Sequence, residues 1–299
     1  MHVLIAGASG FLGRNLTESL RARGHTTTAL VRRTPSADAE SQWDPAAGRL
    51  DRQLIEDADV VVNVAGSPTI GNPHSRKWAD DLLESRVTTT RTLADAIAAS
   101  EKRPAFLAGN AIGIYGDHGD AEVTEDGDSR GHTLMAEVTR MWEAAAQPAV
   151  GAGARVCVLR TAPVMDRGSE PLGMLRRLFR LGLGGRLGTG RQYMPMVSMR
   201  DWLGGVVHLL EHPETSGPFN LCCPRTPTNA EFTQALARAL GRAAVVPVPA
   251  AAIRLGAGRL GPELLGSVNV VPQRLIDAGY EFHDRDVTAV VAAGLAGLR

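Results

Sequence analysis

The residues richest in chemistry stand at the start of the chain. Gly7-Ala8-Ser9-Gly10-Phe11-Leu12-Gly13 places a glycine at every third position. A strand-like run, His2 to Ala6, precedes it. The following stretch, Phe11 to Arg23, sets Leu12, Leu16 and Leu20 on one helical face before Gly24 stops it. Between a strand and a helix, Gly7 lets the chain turn tightly. Gly10 lets the backbone approach a pyrophosphate, and Gly13 lets the helix close on the sheet. The helix then offers its first N–H groups and a partial positive charge to phosphates. Ser9, Phe11 and Leu12 belong to the same turn. The spacing predicts a dinucleotide site. The next strand, Thr26 to Val31, runs into Arg32 and Arg33, and the first carboxylate comes only at Asp38. A carboxylate at that strand end would bond a ribose 2′-hydroxyl, whereas a guanidinium matches a phosphate. The expected cofactor is NADP(H) in preference to NAD(H).

The elements that must hold this turn alternate along the first half of the chain. Asp59–Val64, Ala105–Ala108 and Val156–Leu159 read as short buried strands, and Ser75–Ser100 reads as a long amphipathic helix. Continuous apolar strands between helices make a parallel sheet covered on both faces. The fold class is therefore α/β, a Rossmann-type doubly wound parallel sheet, over residues 1–165. After Pro163 the pattern changes. Glycines crowd Gly168 to Gly190, Pro195 follows, and further helices begin near Arg200, Asn229 and Ala250, with a short strand near Phe219. Residues 166–299 are expected to form a smaller, interleaved C-terminal substrate lobe, with a segment near 195–220 returning to the first.

Of the 299 residues, Lys and Arg number 32 and Asp and Glu number 32, so the formal net charge is zero. No global basic excess points to nucleic acid or an anionic membrane. No apolar run approaches the ~20 residues of a membrane helix. The cysteines, Cys157, Cys222 and Cys223, show no metal-binding or CxxC spacing, which reads as reduced thiols in a cytoplasmic protein without a metal. A small-molecule substrate is expected, and nothing in the sequence bears on oligomeric state.

The opening GASGFLG, Asn63-Val64-Ala65-Gly66 and Tyr115-Gly116 resemble an extended short-chain dehydrogenase/reductase. More narrowly, the chain resembles the epimerase-family proteins that carry a C-terminal domain of unknown function, DUF1731, here about 248–295. The residues that carry this are Trp43-Asp44-Pro45, Ser85-Arg86-Val87, Thr124-Glu125-Asp126, Trp142-Glu143, Leu181 to Gln192, Gly217-Pro218-Phe219-Asn220 and Val271-Pro272-Gln273-Arg274-Leu275. The resemblance implies NADP(H) held by the Gly7 turn and by Val31, Arg32 and Arg33. It puts Asp44 near the adenine and Asn63, Val64, Ala65 and Gly66 beside the ribose and nicotinamide. Ser85 and Arg86 would lie on the helix that lines the site, and Pro163 would meet the nicotinamide ring. The implied activity is that of an oxidoreductase or epimerase acting on a small substrate such as a sugar nucleotide.

One part of the family pattern fails. Short-chain dehydrogenases use a Ser or Thr with a Tyr-x-x-x-Lys pair on one helix face, the Tyr serving as general acid and base. Here the Tyr position falls at Leu134, the Lys position at Val138 and the Ser position at Asn110. Tyr115, Asn110 and Glu137 remain as catalytic candidates. In the second lobe, Arg186, Arg191 and Gln192 are the candidate substrate contacts, and Gly168–Gln192 is an expected lid. The alternative is a non-catalytic NADP(H)-binding sensor or interaction protein on a degenerate form of the same fold.

Overall fold

A computed structural model of the chain describes residues 1–244 and 247–298. The first half runs β1 (His2–Ala6), α1 (Phe11–Ala22), β2 (Thr26–Val31), β3 (Glu40–Gln42), α2 (Arg52–Asp57), β4 (Val60–Asn63), α3 (Arg76–Ala99), β5 (Ala105–Ala111), β6 (Glu122–Val123), α4 (Leu134–Ala144), α5 (Gln147–Gly151) and β7 (Val156–Thr161). The second half runs β8 (Val164–Met165), α6 (Glu170–Arg180), β9 (Val197–Ser198), α7 (Met199–Glu211), β10 (Gly217–Leu221), α8 (Asn229–Leu240), α9 (Ala250–Gly256), α10 (Gly261–Leu265), β11 (Asn269–Val270), α11 (Gln273–Asp277) and α12 (Val287–Ala296). Seven strands make one parallel sheet in the order β10-β7-β5-β4-β1-β2-β3.

The order dictates where a ligand can sit. From β1 the chain moves outward to β2 and β3, then crosses back to β4 and continues to the other edge. The connections leaving β1 and β4 therefore part company, and the gap at their carboxyl ends is the crevice of an open α/β sheet. The strands bury both faces, as their unbroken apolar runs require: all four residues of β4 are buried. One face packs against α1 and α7 through Leu16, Leu20, Trp202 and Val206. The other packs against α3 through Leu93 and Ile97. Each fully buried leucine contributes about 1.5–3 kcal/mol of transfer free energy.

The C-terminal lobe has its own apolar cluster, Leu172 and Phe179 of α6 against Phe232 and Leu236 of α8 and Val290 of α12. It is interleaved with the first lobe, because α7 covers the sheet and β10 extends it beside β7. The stretch expected as a glycine-rich lid contains α6, and a side chain at Gly184 would overlap the Phe179 ring. Glycine there permits close packing. No described helix is long and apolar enough to cross a membrane.

Candidate functional site

The glycine turn sits at the β1/β4 crevice. Gly7 adopts φ +87°, and a Cβ on it would stand 2.7 Å from the Ala65 nitrogen, so the two connections touch at backbone level. A Cβ at Gly13 would overlap the Gly7 carbonyl. Gly10 donates to the Gly7 oxygen at 2.9 Å and opens α1. No side chain caps α1 and no acidic residue lies in its first turn. Ser75, Thr133, Ser198, Thr228 and Asp286 cap other helices of the fold, while α5, α6, α9, α10 and α11 share the lack of a side-chain cap with α1. The orphan N–H groups and dipole of α1 are left for an anion. Ser9 and Gly10 are exposed at the turn, while Phe11 and Leu12 lean on the core behind it.

Past the end of β2, an open cavity of ≈ 800 Å³ is lined by Arg32, Gln42, Trp43, Asp44, Arg49 and Leu50, among others. Arg32 follows the end of β2 at Val31 and makes no hydrogen bond or ion pair among the described residues. Arg33, expected beside it at a phosphate, is engaged elsewhere: both its terminal nitrogens grip Glu40, at 2.6 and 2.9 Å. That guanidinium, with the Ser36 N–H, holds the Glu40 carboxyl at about 2. Asp44 accepts from Arg49 at 2.7 Å and from the Ala47 N–H, which lowers its pKa. The cavity thus presents Arg32 as its uncommitted cation.

After β4, the Asn63–Gly66 turn is built from within. Buried Asn63 accepts the Ala65 N–H at 3.0 Å and donates to Thr90 at 2.9 Å. The Ser85 hydroxyl accepts the Ser67 N–H at 3.0 Å. Arg86 donates to the carbonyls of Leu82 and Ser67 and to the Thr69 hydroxyl, with its guanidinium 5.2 Å from the Trp142 ring. No carboxylate pairs with it among the described residues, and burial lowers its pKa to about 10. These side chains shape the turn from behind, and Val64, Ala65 and Gly66 offer backbone to the crevice. Pro163 is exposed past the carboxyl end of β7.

The catalytic candidates fall in two places. Tyr115 is fully buried; its hydroxyl donates to Asn220 at 2.7 Å and accepts from Arg160 at 2.9 Å. Burial pushes that phenol up to about 12, so no phenolate is on hand at neutral pH. Asn110, also buried, donates to the Thr139 carbonyl and to Glu143. Both residues, expected near the cleft, serve a polar network beneath it. Glu137 lies exposed on α4, with His132 at 3.5 Å. Leu134 begins α4 behind the Thr133 cap, and Val138 is buried. In the second lobe Arg186 and Arg191 are exposed, but Gln192 is buried and donates to the Leu187 and Leu264 carbonyls, bracing its own loop.

That network was not legible in the sequence. Arg160 grips Glu143 with two nitrogens, at 3.1 and 2.8 Å, and reaches the Glu125 carbonyl at 2.9 Å. Glu125 in turn accepts the backbone N–H groups of Asn220 and Arg274. The motif residues near Tyr115, Glu125, Glu143, Asn220 and Arg274, spread over 160 positions, meet in one buried clasp between sheet and C-terminal segment. A second missed residue is Glu263 in α10, whose carboxylate holds the Met135 N–H at 2.7 Å.

A parallel sheet with a glycine turn and an open helix end at its switch point defines a dinucleotide-binding fold of the short-chain dehydrogenase/reductase class. The chain belongs to the NAD dependent epimerase/dehydratase family, whose model matches residues 3–222, and a domain of unknown function, DUF1731, matches residues 248–293. The epimerase family protein Mb2239 of Mycobacterium bovis is 38% identical over 286 residues, covering 95% of this chain and 94% of that one. The human epimerase family protein SDR39U1 is 36% identical over 288 residues, covering 94% and 95%. A crystal structure of the human protein, isoform 2, with NADPH matches all of both chains with a TM-score of 0.88 at 32% identity. A nucleoside-diphosphate sugar epimerase from Corynebacterium glutamicum matches 99% of this chain and 58% of its own, with a TM-score of 0.81 at 30% identity.

Proposed function

We propose that this protein binds NADP(H) across the β1/β4 crevice and uses it in oxidoreductase or epimerase chemistry on a small substrate, a sugar nucleotide being the class that the family offers. The observation that carries the reading is Arg32, an unpaired guanidinium lining an open cavity at the end of β2, where an NAD site would hold a carboxylate. The residues present fit the cofactor. The uncapped α1 takes the pyrophosphate, Arg32 the 2′-phosphate, and the backbone of Val64 to Gly66 lies toward the nicotinamide half. The NADPH in the human relative's crystal structure supports the same assignment. When bound, the cofactor supplies the hydride chemistry, and the chain binds, orients and excludes water. A cytoplasmic protein acting on a small molecule, without nucleic acid or membrane as partner, completes the reading.

Calorimetric titration tests it. NADPH should bind at least about tenfold tighter than NADH, because a charge-assisted contact to the 2′-phosphate is worth about 1.5–3 kcal/mol. Arg32→Ala should remove that preference and leave NADH binding nearly unchanged. Equal affinities in the native protein, or a preference that survives the substitution, would overturn the assignment.

Leu134 and Val138 favour a second reading, a non-catalytic NADP(H) sensor, since neither side chain can move a proton. The two readings differ in whether the bound cofactor exchanges hydride with any substrate. Stereospecific tritium transfer from labelled NADPH to a panel of carbonyl sugars and nucleotide sugars would separate them.

A further inference from the structure

The region matched by the domain of unknown function delivers a carboxylate to the first turn of α4, the helix on which the family's acid–base Tyr is missing. Glu263 stands in α10, 128 positions away from Met135, whose N–H its Oε1 accepts at 2.7 Å. Met135 is the residue after Leu134, and its Cβ packs against Gly113 in the turn after β5. Immediately before α10, the Arg259 N–H bonds the Pro73 carbonyl at 3.2 Å, and His74 meets the Gly256 oxygen at 3.4 Å. Pro73 and His74 lie on the connection leaving the Asn63–Gly66 turn. The segment that carries Glu263 is therefore held between the connections after β4 and β5, at the carboxyl edge of the sheet, where an open α/β fold binds its ligand.

Its other oxygen, Oε2, is buried and has no hydrogen-bond partner among the described residues. Capping α4 does not explain it. The Thr133 hydroxyl already accepts the Ala136 N–H, and Oε1 alone serves Met135. A buried carboxylate oxygen without a donor is costly unless a ligand provides one.

We propose that Glu263 is the acid–base group of this site, its Oε2 taking the hydroxyl proton of a bound secondary alcohol. The inference rests on the NADP(H) reading above. In the oxidative direction the carbon–hydrogen bond breaks with its electron pair going to the oxidised nicotinamide, the O–H bond breaks with its proton going to Glu263, and the carbon–oxygen double bond forms. The reverse direction returns the same proton and hydride. A carboxylate so placed does the work that the Tyr-x-x-x-Lys pair does in related enzymes, and it comes from the C-terminal lobe.

Cofactor binding tests this without a known substrate. A carboxylate close to the ring favours the cationic oxidised nicotinamide over the neutral reduced one. Titration of NADP⁺ and NADPH into the native protein and into Glu263→Gln at pH 8 should show the Kd ratio, NADP⁺ over NADPH, rising about tenfold in the variant. Glu263→Asp, which keeps the charge, should hold the ratio within about threefold. A pure helix cap would lower Tm and shift both affinities equally, so an unchanged ratio overturns the proposal. If Glu263→Gln does not fold, an unchanged ratio in Glu263→Met, which keeps the length of the side chain without its charge, does the same. Failure of the native protein to bind either form sinks the NADP(H) reading, and this inference with it. Binding of both with an insensitive ratio sinks this inference alone.

Discussion

Arg160→Ala should lower the unfolding free energy by about 3–5 kcal/mol, the loss expected when one partner of a buried ion pair is removed. Only 8% of the Arg160 side chain is exposed. Its removal would strand the Glu143 carboxylate, deprive the Tyr115 oxygen of a donor and leave the Glu125 carbonyl without this contact. Burial raises the pKa of Glu125 itself, so the clasp already holds a carboxyl that resists ionisation. Arg160→Lys should rescue little, since one ammonium cannot span two Glu143 oxygens, a phenol and a carbonyl at once. Urea denaturation measures both variants. A loss below about 1 kcal/mol in Arg160→Ala would mean that the clasp is not what joins the sheet to the C-terminal segment. The same substitution should leave the cavity around Arg32 intact, so any folded fraction should retain its preference for NADPH over NADH.

Gly13→Ala should weaken NADPH and NADH alike by at least about 100-fold, or about 3 kcal/mol. The reason is steric. The added methyl would overlap the Gly7 carbonyl, to which Gly10 donates, and the turn must open to admit it. Moving that turn re-aims the uncapped end of α1 away from the pyrophosphate. Overpacking should also cost about 1–3 kcal/mol of stability. The pattern is distinct from Arg32→Ala, which strikes the phosphorylated cofactor alone. Calorimetry with both cofactors, alongside a thermal unfolding scan, separates lost binding from lost fold. Affinities within fivefold of the native protein in Gly13→Ala would show that the turn does not hold the pyrophosphate.

The sheet and its glycine turn were legible because they rest on local signals. Phe11–Ala22 is helical where the leucine spacing predicts it, and the helix has ended by Gly24, at φ +84°. The strand after Asp59 reads as buried on both faces because parallel strands are apolar throughout. The place of Arg32 was legible as well, since it follows directly from the end of β2. Arg33 was not. Its partner Glu40 lies seven residues on, across a loop and the next strand, and spacing does not say which of two adjacent arginines the fold will occupy.

The catalytic side shows the same division. Leu134 and Val138 are read from helix spacing alone, which by itself established that no Tyr-x-x-x-Lys pair stands on α4. Tyr115 and Asn110 kept a catalytic reading only as long as their partners were unknown. Sheet register sets Asn220 of β10 beside Arg160 of β7, and Arg160 beside Asn110 of β5, so the three strands share one row of polar side chains. No local pattern encodes a row assembled from three strands that lie fifty or more residues apart. Glu263 is the limiting case. Its type and neighbours mark it as an ordinary helix carboxylate, and only the packing of the C-terminal lobe against α4 brings it to Met135. The sequence by itself determined the fold class, the glycine turn after β1 and the absence of the usual proton-transfer pair, because each depends on residues within a few turns of chain. Tertiary structure alone decided which arginine stays unpaired, which candidates lie in the buried polar network and which carboxylate meets the first turn of α4, because those are outcomes of long-range packing, where burial and a donor's availability set what a polar group can do.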